Sequence, residues 1–287
     1  MRLEFTSDWH RTDEIARAFL ESSPIRNAVL ITLLHARLTR PEPVRCWIAQ
    51  DSGRTIGLAL QSPLNDSALI TKVNRRVARM IVQEIHGSGI ALPGVLGDAG
   101  SAASFAAEWA EVTKVPVLVT RTSRLYEVRR VREPRMPEGR FRQATADDHA
   151  LATEWAGNFA SEGGEEIADV AATVERLITE RKIWLWETDV PVSMCVGSAP
   201  AAGIVVVQAV YTPSTSRNFG YAGACVATLS QRTLSQNNRC VLYADIANPI
   251  SNALYRRLGY EPVFEALAFS FGSQHMSHGM DASRHRT

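Results

Sequence analysis

Two stretches of this chain carry the same pattern of residues, and that repetition limits the folds open to it more than any other feature. A tryptophan and a proline 16 positions apart bracket a candidate β-hairpin at Trp47–Pro63 and again at Trp184–Pro200. Farther along, strand-like residues ending in Asp98 and in Asp245 are each followed by a helical pattern. Because the order of elements also agrees, we interpret the chain as a diverged tandem duplication of an α/β domain. The alternative is a coincidence between two unrelated α/β domains.

The length of 287 residues suits two domains of about 140 residues each. Residues 132–140 are charged, hold two prolines and a glycine, and lack apolar periodicity, so we interpret them as a linker. We therefore predict one domain at 1–131, a second at 141–272 and a disordered tail at 273–287.

The composition excludes several classes of protein. Apolar residues make up 45% of the chain and charged residues 21%, which is typical of globular proteins. A net charge of +1 argues against a general nucleic-acid binder. The sequence holds no apolar run of about 18 residues, and its start lacks the apolar core of a signal peptide, so we expect a cytoplasmic protein without a membrane partner. The 31 basic residues include few lysines, a bias that we associate with bacterial genomes rich in GC.

The four cysteines are far apart and lie among apolar residues, at Cys46, Cys195, Cys225 and Cys240. We interpret them as buried thiols in a reducing compartment. Metal binding and a disulfide framework are the alternatives, and the spacing shows no CxxC pair that would favour them.

The most β-prone segment, residues 203–212, leads into a loop with small residues and then into a helical pattern. The first amides of a helix are unpaired and carry partial positive charge, so such a helix start can bind a phosphate or diphosphate without a lysine. Small residues at Gly220, Ala222 and Gly223 would let the ligand approach the backbone. A simple tight turn is the alternative.

The six residues from Arg217 to Ala222 read RNFGYA, which resembles the Arg/Gln-x-x-Gly-x-Gly/Ala signature of the GNAT superfamily of acetyl-CoA-dependent N-acetyltransferases. The resemblance implies an α/β fold with two GNAT-like domains in tandem, each a mixed, mostly antiparallel sheet flanked by helices. It implies that the CoA pyrophosphate is bound by Arg217, Asn218, Phe219, Gly220, Tyr221 and Ala222. It also implies that the backbone at Val210, Tyr211 and Thr212 meets the pantetheine and acetyl group.

A second segment, from Asn248 to Tyr260, is similar to the other GNAT signature, the helix beside the CoA thiol. On this resemblance Asn248 and Ser251 contact the cofactor, and Tyr255 gives a proton to the departing thiolate. Asn248 also suits the N-cap of its helix, with Pro249 at the first helical position. The alternative interpretation is that Tyr255 is an aromatic residue on the helix surface that packs on a strand.

Acyl transfer also requires stabilisation of an oxyanion and a group that takes a proton from the amine. A backbone N–H near Val210 or Tyr211 is the candidate for the oxyanion. Glu187 is our first candidate for the base, followed by three further acids, Glu162, Glu165 and Glu166. Each of these could instead be a solvated surface carboxylate, and an amine of low pKa could lose its proton to water.

The N-terminal copy lacks the phosphate loop. Its candidate strand at 67–71 is followed by residues 72–78 without a glycine, and aligning Asp98 with Asp245 places Glu108 where Tyr255 stands. Arg75 and Arg76 suit either an anion site or a solvated helix face. We predict that this copy has the fold and lacks the activity, the plan seen in tandem GNAT proteins such as mycothiol synthase.

We therefore predict an N-acetyltransferase that uses acetyl-CoA and no metal, with direct attack by a small-molecule or peptide amine in a ternary complex. A non-catalytic acyl-CoA-binding or regulatory module and a mycothiol-synthase-like tandem acyltransferase are the alternatives. The sequence does not specify the oligomeric state, and a homodimer is one of the states that it allows.

Overall fold

The computed structural model describes residues 1–164 and 169–272, and the chain forms two compact units. Unit 1 contains residues 1–19, 37–122 and the described residues from Glu265 onward, and unit 2 contains residues 20–36 and 123–264. Each unit therefore includes a segment from the opposite end of the chain. The predicted tail lies outside the described residues, and the predicted domain boundaries stay a prediction.

The N-terminal half supplies most of unit 1. Its strands are β1 (Arg2–Thr6), β2 (Arg45–Asp51), β3 (Arg54–Gln61), β4 (Ala68–Ile70), β5 (Gly94–Asp98) and β6 (Val117–Val128). Its helices are α1 (Trp9–Glu21), α2 (Ala28–Thr39), α3 (Arg75–Gly87) and α4 (Ala99–Thr113). The start of α2 belongs to unit 2, and so do the residues of β6 from Ser123 onward.

The C-terminal half supplies most of unit 2. Its strands are β7 (Arg140–Gln143), β8 (Ile183–Glu187), β9 (Pro191–Gly197), β10 (Ile204–Tyr211), β11 (Arg239–Asp245) and β12 (Glu261–Phe271). Its helices are α5 (His149–Glu162), α6 (Val170–Thr179), α7 (Tyr221–Ser235) and α8 (Pro249–Arg257). The acid at the entry to α5 is Asp148, whose carboxylate accepts the Thr145 N–H at 2.7 Å.

The strands of the two units follow one topology. In unit 1 the strands lie in the order β1-β2-β3-β4-β5-β12, and in unit 2 in the order β7-β8-β9-β10-β11-β6. β4 runs parallel to β5, and β10 runs parallel to β11, while the other neighbours within each sheet are antiparallel. The mixed, mostly antiparallel sheet implied by the resemblance is confirmed. The duplication inferred from the sequence has a counterpart in this shared order.

The sheet of unit 2 is covered on both faces. On one face, here named face A, α7 and α8 pack against alternate residues of the strands, including Val207 and Leu242. On the opposite face, face B, α5 and α6 pack on Met194 and Val196, while Ile25 and Ala28 pack beside Val241. Alternation along each strand thus assigns the residues of β11, and those of β10 up to Gln208, to one face or the other.

The core of unit 1 follows helical periodicity. The buried residues of α3 recur at the spacing of one helix face, at Val77, Ala78, Ile81, Val82 and Ile85. The end of β12 completes this core, since the Phe271 ring stacks on Trp109 at a centroid distance of 5.2 Å.

Ion pairs between a buried carboxylate and two exposed arginines join α3 to α4 in unit 1. Glu108 is 2% exposed, and its carboxylate accepts from Arg79 Nε at 2.8 Å and Arg75 Nε at 2.7 Å. These hydrogen bonds, the one from Arg79 first, lower the pKa of Glu108 from its ordinary value of 4.5 to about 2. Arg75 therefore has a partner within the unit, and an anion site at this arginine stays a prediction.

Replacing Glu108 with glutamine should make unit 1 less stable at neutral pH. A carboxylate whose pKa is lowered on folding stabilises the fold above its unfolded pKa, and this contribution disappears as pH falls towards the folded pKa. We expect Glu108→Gln to unfold at lower urea concentration than the native sequence at pH 7, with the gap narrowing between about pH 4.5 and pH 2.

The matched control is Glu84→Gln, which removes an exposed carboxylate from α3. Its urea midpoint should follow the native one at every pH. A gap between Glu108→Gln and the native protein that stays constant from pH 7 to pH 2.5 would contradict the ion-pair account.

Candidate active site

An opening between two parallel strands is the central feature of unit 2. β10 and β11 pair from Ile204 with Arg239 to Val207 with Leu242, and their pairing ends there. Both strands continue, β10 to Tyr211 and β11 to Asp245. The carboxyl ends of the two strands therefore separate, which is the arrangement at which open α/β sheets bind ligands.

A β-bulge in β10 accompanies this separation. The register with β9 shifts between Gln208 and Tyr211, and Ala209 has a φ of +47°. A residue with a Cβ in this left-handed region costs about 1–2 kcal/mol, so the surrounding contacts must hold it. The bulge turns the backbone amides of the last β10 residues away from the regular ladder.

A buried hydroxyl holds the end of β10. Ser193 of β9 is fully buried, and its Oγ donates to the carbonyl of Tyr211 at 3.1 Å and lies 2.8 Å from Thr212 Oγ1. Sequence reasoning missed Ser193, although a polar residue inside the apolar run of β9 was a signal for it. The predicted contact residues Val210, Tyr211 and Thr212 all lie on this held segment, and the Tyr211 ring packs on Trp155 at 6.1 Å.

The N-terminus of α7 faces open space. Its N-cap, Gly220, has a φ of +89°, and no side chain among the described residues caps this helix start. A Cβ at Gly220 would meet no atom within 4 Å in the part of the chain that the structure describes. Glycine is thus required here by its backbone conformation, and the first amides of α7 are available to an anion.

Arg217 supports the loop that precedes α7. Its Nε donates to the Thr212 carbonyl at 2.9 Å, and its Nη2 bonds Glu162 at 2.7 and 3.0 Å. Asn218 adopts a positive φ of +71°, which asparagine tolerates. Phe219 is 64% exposed and stacks on Tyr221 at 5.8 Å.

The second predicted motif lies on α8, next to α7. A Cβ built at Gly223 of α7 would lie 3.3 Å from Leu254 Cδ1. Asn248 caps α8, since its side chain accepts the Ser251 N–H at 3.0 Å, so the capping role left open by the sequence is present. A contact of Asn248 or Ser251 with cofactor stays a prediction.

A hydrogen-bonded asparagine fixes the turn between β11 and α8. Asn252 accepts from the Tyr126 hydroxyl at 2.8 Å and donates to the carbonyls of Asp245 and Asn248 at 2.7 Å each. Asn252 was missed in the sequence, because its partners come from separate elements.

Tyr255 is buried on face A, within the cluster that also contains Tyr126 and Tyr260. Burial raises the pKa of its phenol to about 12, with a smaller contribution from Cys195. The phenol therefore stays protonated at physiological pH and can act as a hydrogen-bond donor.

Glu187 lies on β8, two strands from β10 and roughly 10 Å away across the sheet. Its carboxylate is paired with Arg140 and Arg142, and hydrogen bonds from these arginines, that of Arg140 first, lower its pKa. A general base works best with a pKa near the working pH, so these contacts weigh against Glu187 in that role. The assignment stays a prediction.

The other candidate bases divide into two groups. Glu162, at the end of α5, pairs with Arg217. Glu165 and Glu166 lie outside the described residues.

The matching position in unit 1 is closed. β4 pairs with β5 up to Ile70 and Gly97, at the end of β4, so these strands do not separate before β4 ends. Ser101 Oγ accepts the Val73 N–H at 2.9 Å and donates to the Val73 carbonyl at 3.1 Å. Asn74 caps α3 by accepting the Val77 N–H at 3.0 Å.

A comparison with known protein families matches the segment of the chain that contains β10, α7, β11 and α8. Residues 198–268 match a family model described as FR47-like protein. This segment contains the site from β10 to α8. No curated protein matches the sequence.

Several solved structures share the fold over nearly the whole chain. A GNAT-family acetyltransferase from Colwellia psychrerythraea has a TM-score of 0.64 at 8% identity, covering 95% of this chain and 100% of that one. A GCN5-related N-acetyltransferase from Sphaerobacter thermophilus has a TM-score of 0.63 at 14% identity, covering 94% and 95%. A tandem GNAT protein from the clavulanic acid biosynthesis pathway has a TM-score of 0.57 at 12% identity, covering 94% and 98%.

These solved structures show that the chain has the fold that the resemblance to GNAT acetyltransferases implied, and the FR47-like match lies on the segment that holds both sequence motifs. Within the described residues, none of the helices combines the length and the apolar character that crossing a membrane requires.

Removing the Ser193 hydroxyl should destabilise unit 2. Ser193→Ala leaves the Tyr211 carbonyl without its buried donor, which typically costs about 1–3 kcal/mol. We expect a lower urea midpoint, measured by tryptophan fluorescence. Thr212→Val is the matched control: it keeps the Ser193–Tyr211 bond and should shift the midpoint less. Equal midpoints for Ser193→Ala and the native protein would show that this hydroxyl does not hold β10.

Proposed function

We propose that this protein is an acetyl-CoA-dependent N-acetyltransferase whose active site lies in unit 2. The observation that carries the proposal is the opening between β10 and β11, next to an uncapped helix N-terminus. An opening of this kind suits an extended thioester arm, and the helix start suits a diphosphate. Solved structures of similar fold are described as acetyltransferases.

In this proposal the first amides of α7, from Tyr221 onward, bind the CoA diphosphate. The signature arginine, Arg217, keeps the loop in place through the Thr212 carbonyl. The pantetheine arm enters between β10 and β11, with the thioester at the bulged end of β10. A backbone N–H near Val210 or Tyr211 then stabilises the oxyanion that forms when the amine attacks.

Tyr255 donates a hydrogen bond to the sulfur as the C–S bond breaks. A thiol has an ordinary pKa near 8.5, so the departing thiolate accepts this hydrogen bond readily. We infer that unit 1 has no transferase activity, because its equivalent opening is closed and its helix start is capped. The free, buried cysteines support a cytoplasmic location.

Introducing a carboxylate at the helix start should abolish CoA binding. Gly220→Asp places a negative charge beside the diphosphate, and two like charges about 4 Å apart near a protein surface repel by about 4 kcal/mol. We expect the Kd for CoA, measured by calorimetry, to rise by at least about 100-fold.

Gly203→Asp is the matched control, since Gly203 also has a positive φ, at +70°, and open space around its Cβ position. It reproduces the backbone strain and the charge outside the site, so it should retain CoA affinity. Native CoA affinity in Gly220→Asp would overturn the loop assignment.

Removing the Tyr255 hydroxyl should slow turnover without weakening CoA binding. We expect Tyr255→Phe to lower kcat by about 100-fold, the lower end of typical general-acid contributions. Because the pKa of Tyr255 is about 12, ionisation of its phenol should not affect the pH dependence of kcat below about pH 11. Thiol release from acetyl-CoA with a panel of amines measures kcat.

Tyr260→Phe is the control, because Tyr260 is another buried tyrosine of the same cluster, bonded to Ser230 at 2.7 Å. It should lower stability more than kcat. Tight CoA binding by the native protein, with no thiol release for any amine, would contradict the transferase proposal and favour a CoA-binding module.

A further inference from the structure

A carboxylate lies at the mouth of the opening on the β11 side. Asp245 is the last residue of β11, just beyond the point where pairing with β10 ends. Continuing the parallel register from Val207 and Leu242 brings Asp245 level with Val210, and the bulge moves this match by one residue to Tyr211. Asp245 therefore lies across the opening from the backbone that we assign to the thioester.

The Asp245 side chain extends to face B, opposite to Tyr255. Val241 and Tyr243 pack in the cluster on face B, whereas Leu242 and Ala244 pack on face A with Tyr255. Alternation along β11 then assigns Asp245 to face B. A base on one face and a hydrogen-bond donor on the other would reach the amine and the sulfur from opposite sides.

Face B has an exposed position on β10 next to the opening. Gln208 is exposed, although it lies inside a central strand. Its pairing with Val196 assigns it to face B, and the parallel register places it level with Tyr243, two residues before Asp245. We place the approach of the amine on this side, because α7 and α8 cover face A.

The surroundings of Asp245 leave its carboxylate accessible. Its Oδ1 accepts the Ala247 N–H at 2.8 Å, and its own carbonyl is held by Asn252. Among the described residues no arginine or lysine forms an ion pair with it, in contrast to Glu187 and Glu162. On face B the titratable side chain nearest along β11 is Tyr243, and Arg26 lies over the Phe264 ring at 4.7 Å. Across the opening lies Tyr211, and the guanidinium of Arg217, which pairs with Glu162, is 5.9 Å from the Tyr211 ring centroid. On the neighbouring β6, Ser123 is level with Asp245, and Arg124 alternates to face A.

We propose that Asp245 is the general base that takes a proton from the acceptor amine, held in place by Asn252. The proposal rests on the proposed transferase function. A carboxylate with one oxygen in a turn and the other towards solvent can accept a proton directly or through one water.

The proton balance follows from this placement. The ammonium loses one proton to Asp245, which releases it to water, and the free nitrogen then forms the C–N bond with the thioester carbonyl. The adduct loses its second N–H proton as the C–S bond breaks, and the thiolate gains one proton. Tyr255 can pass this proton on by giving one to sulfur and regaining one from nitrogen. The products are an amide, free CoA thiol and one proton released to solvent.

Asp245→Asn tests the proposal with little change in shape, because the asparagine oxygen can still accept the Ala247 N–H. With an aliphatic amine at pH 7, kcat/KM should fall by about 100-fold or more. The loss should shrink as pH approaches the pKa of the amine, where the amine is already deprotonated. It should also shrink with a weakly basic aromatic amine. The CoA Kd and the urea midpoint should stay at native values.

The matched control is Asp189→Asn, the same change at an exposed position in the β8–β9 turn, which should keep native kinetics. A pH-independent loss of the same size for both amines, or a weakened CoA Kd, would overturn the base role and leave Asp245 a turn residue. Native kinetics in Asp245→Asn would also overturn it. If the native protein releases no thiol with any amine, the transferase proposal itself fails, and this inference fails with it.

Discussion

The separation of β10 from β11 coincides with a backbone irregularity in β10, the bulge between Gln208 and Tyr211. A residue with a side chain is held there in the left-handed region, and the strand cannot relax to a regular ladder because Ser193 retains the Tyr211 carbonyl. The Ser193 hydroxyl of β9 thus helps to set the orientation of the backbone amides at the end of β10. In the proposed function, the thioester meets this segment, and the residue of β10 that lies level with Asp245 depends on the bulge.

The same topology gives an uncapped helix start in unit 2 and a capped helix start in unit 1. In unit 2 the helix after the parallel strand starts at a glycine, and its amides remain available to a ligand. In unit 1 the equivalent helix starts at Asn74, which satisfies an amide itself, and Glu108 neutralises two arginines where unit 2 has a tyrosine. These internal partners replace the ones that a bound molecule would supply.

Local chemistry could be predicted from the sequence, and long-range contacts could not. The strand β10, the glycine at the start of α7 and the cap at Asn248 follow from residue preferences over a few positions. The bulge could not be predicted, because alanine has no preference for a positive φ. The Ser193–Tyr211 bond also depends on the register between β9 and β10, which the sequence alone does not specify. The two arginine partners of Glu187, Arg140 and Arg142, could not be predicted either, because their positions follow from the pairing of β7 with β8.

The way the chain is divided between the units has a consequence for its synthesis. β5 pairs with residues 266–270 of β12, which leave the ribosome only after residues 123–264 of unit 2 have been made. Until then the edge of β5 lacks this neighbour, and an unpaired strand edge is prone to pair with other chains. Unit 1, although translated first, can therefore complete its sheet only after unit 2 has been made, and neither half of the chain contains all the strands of one sheet.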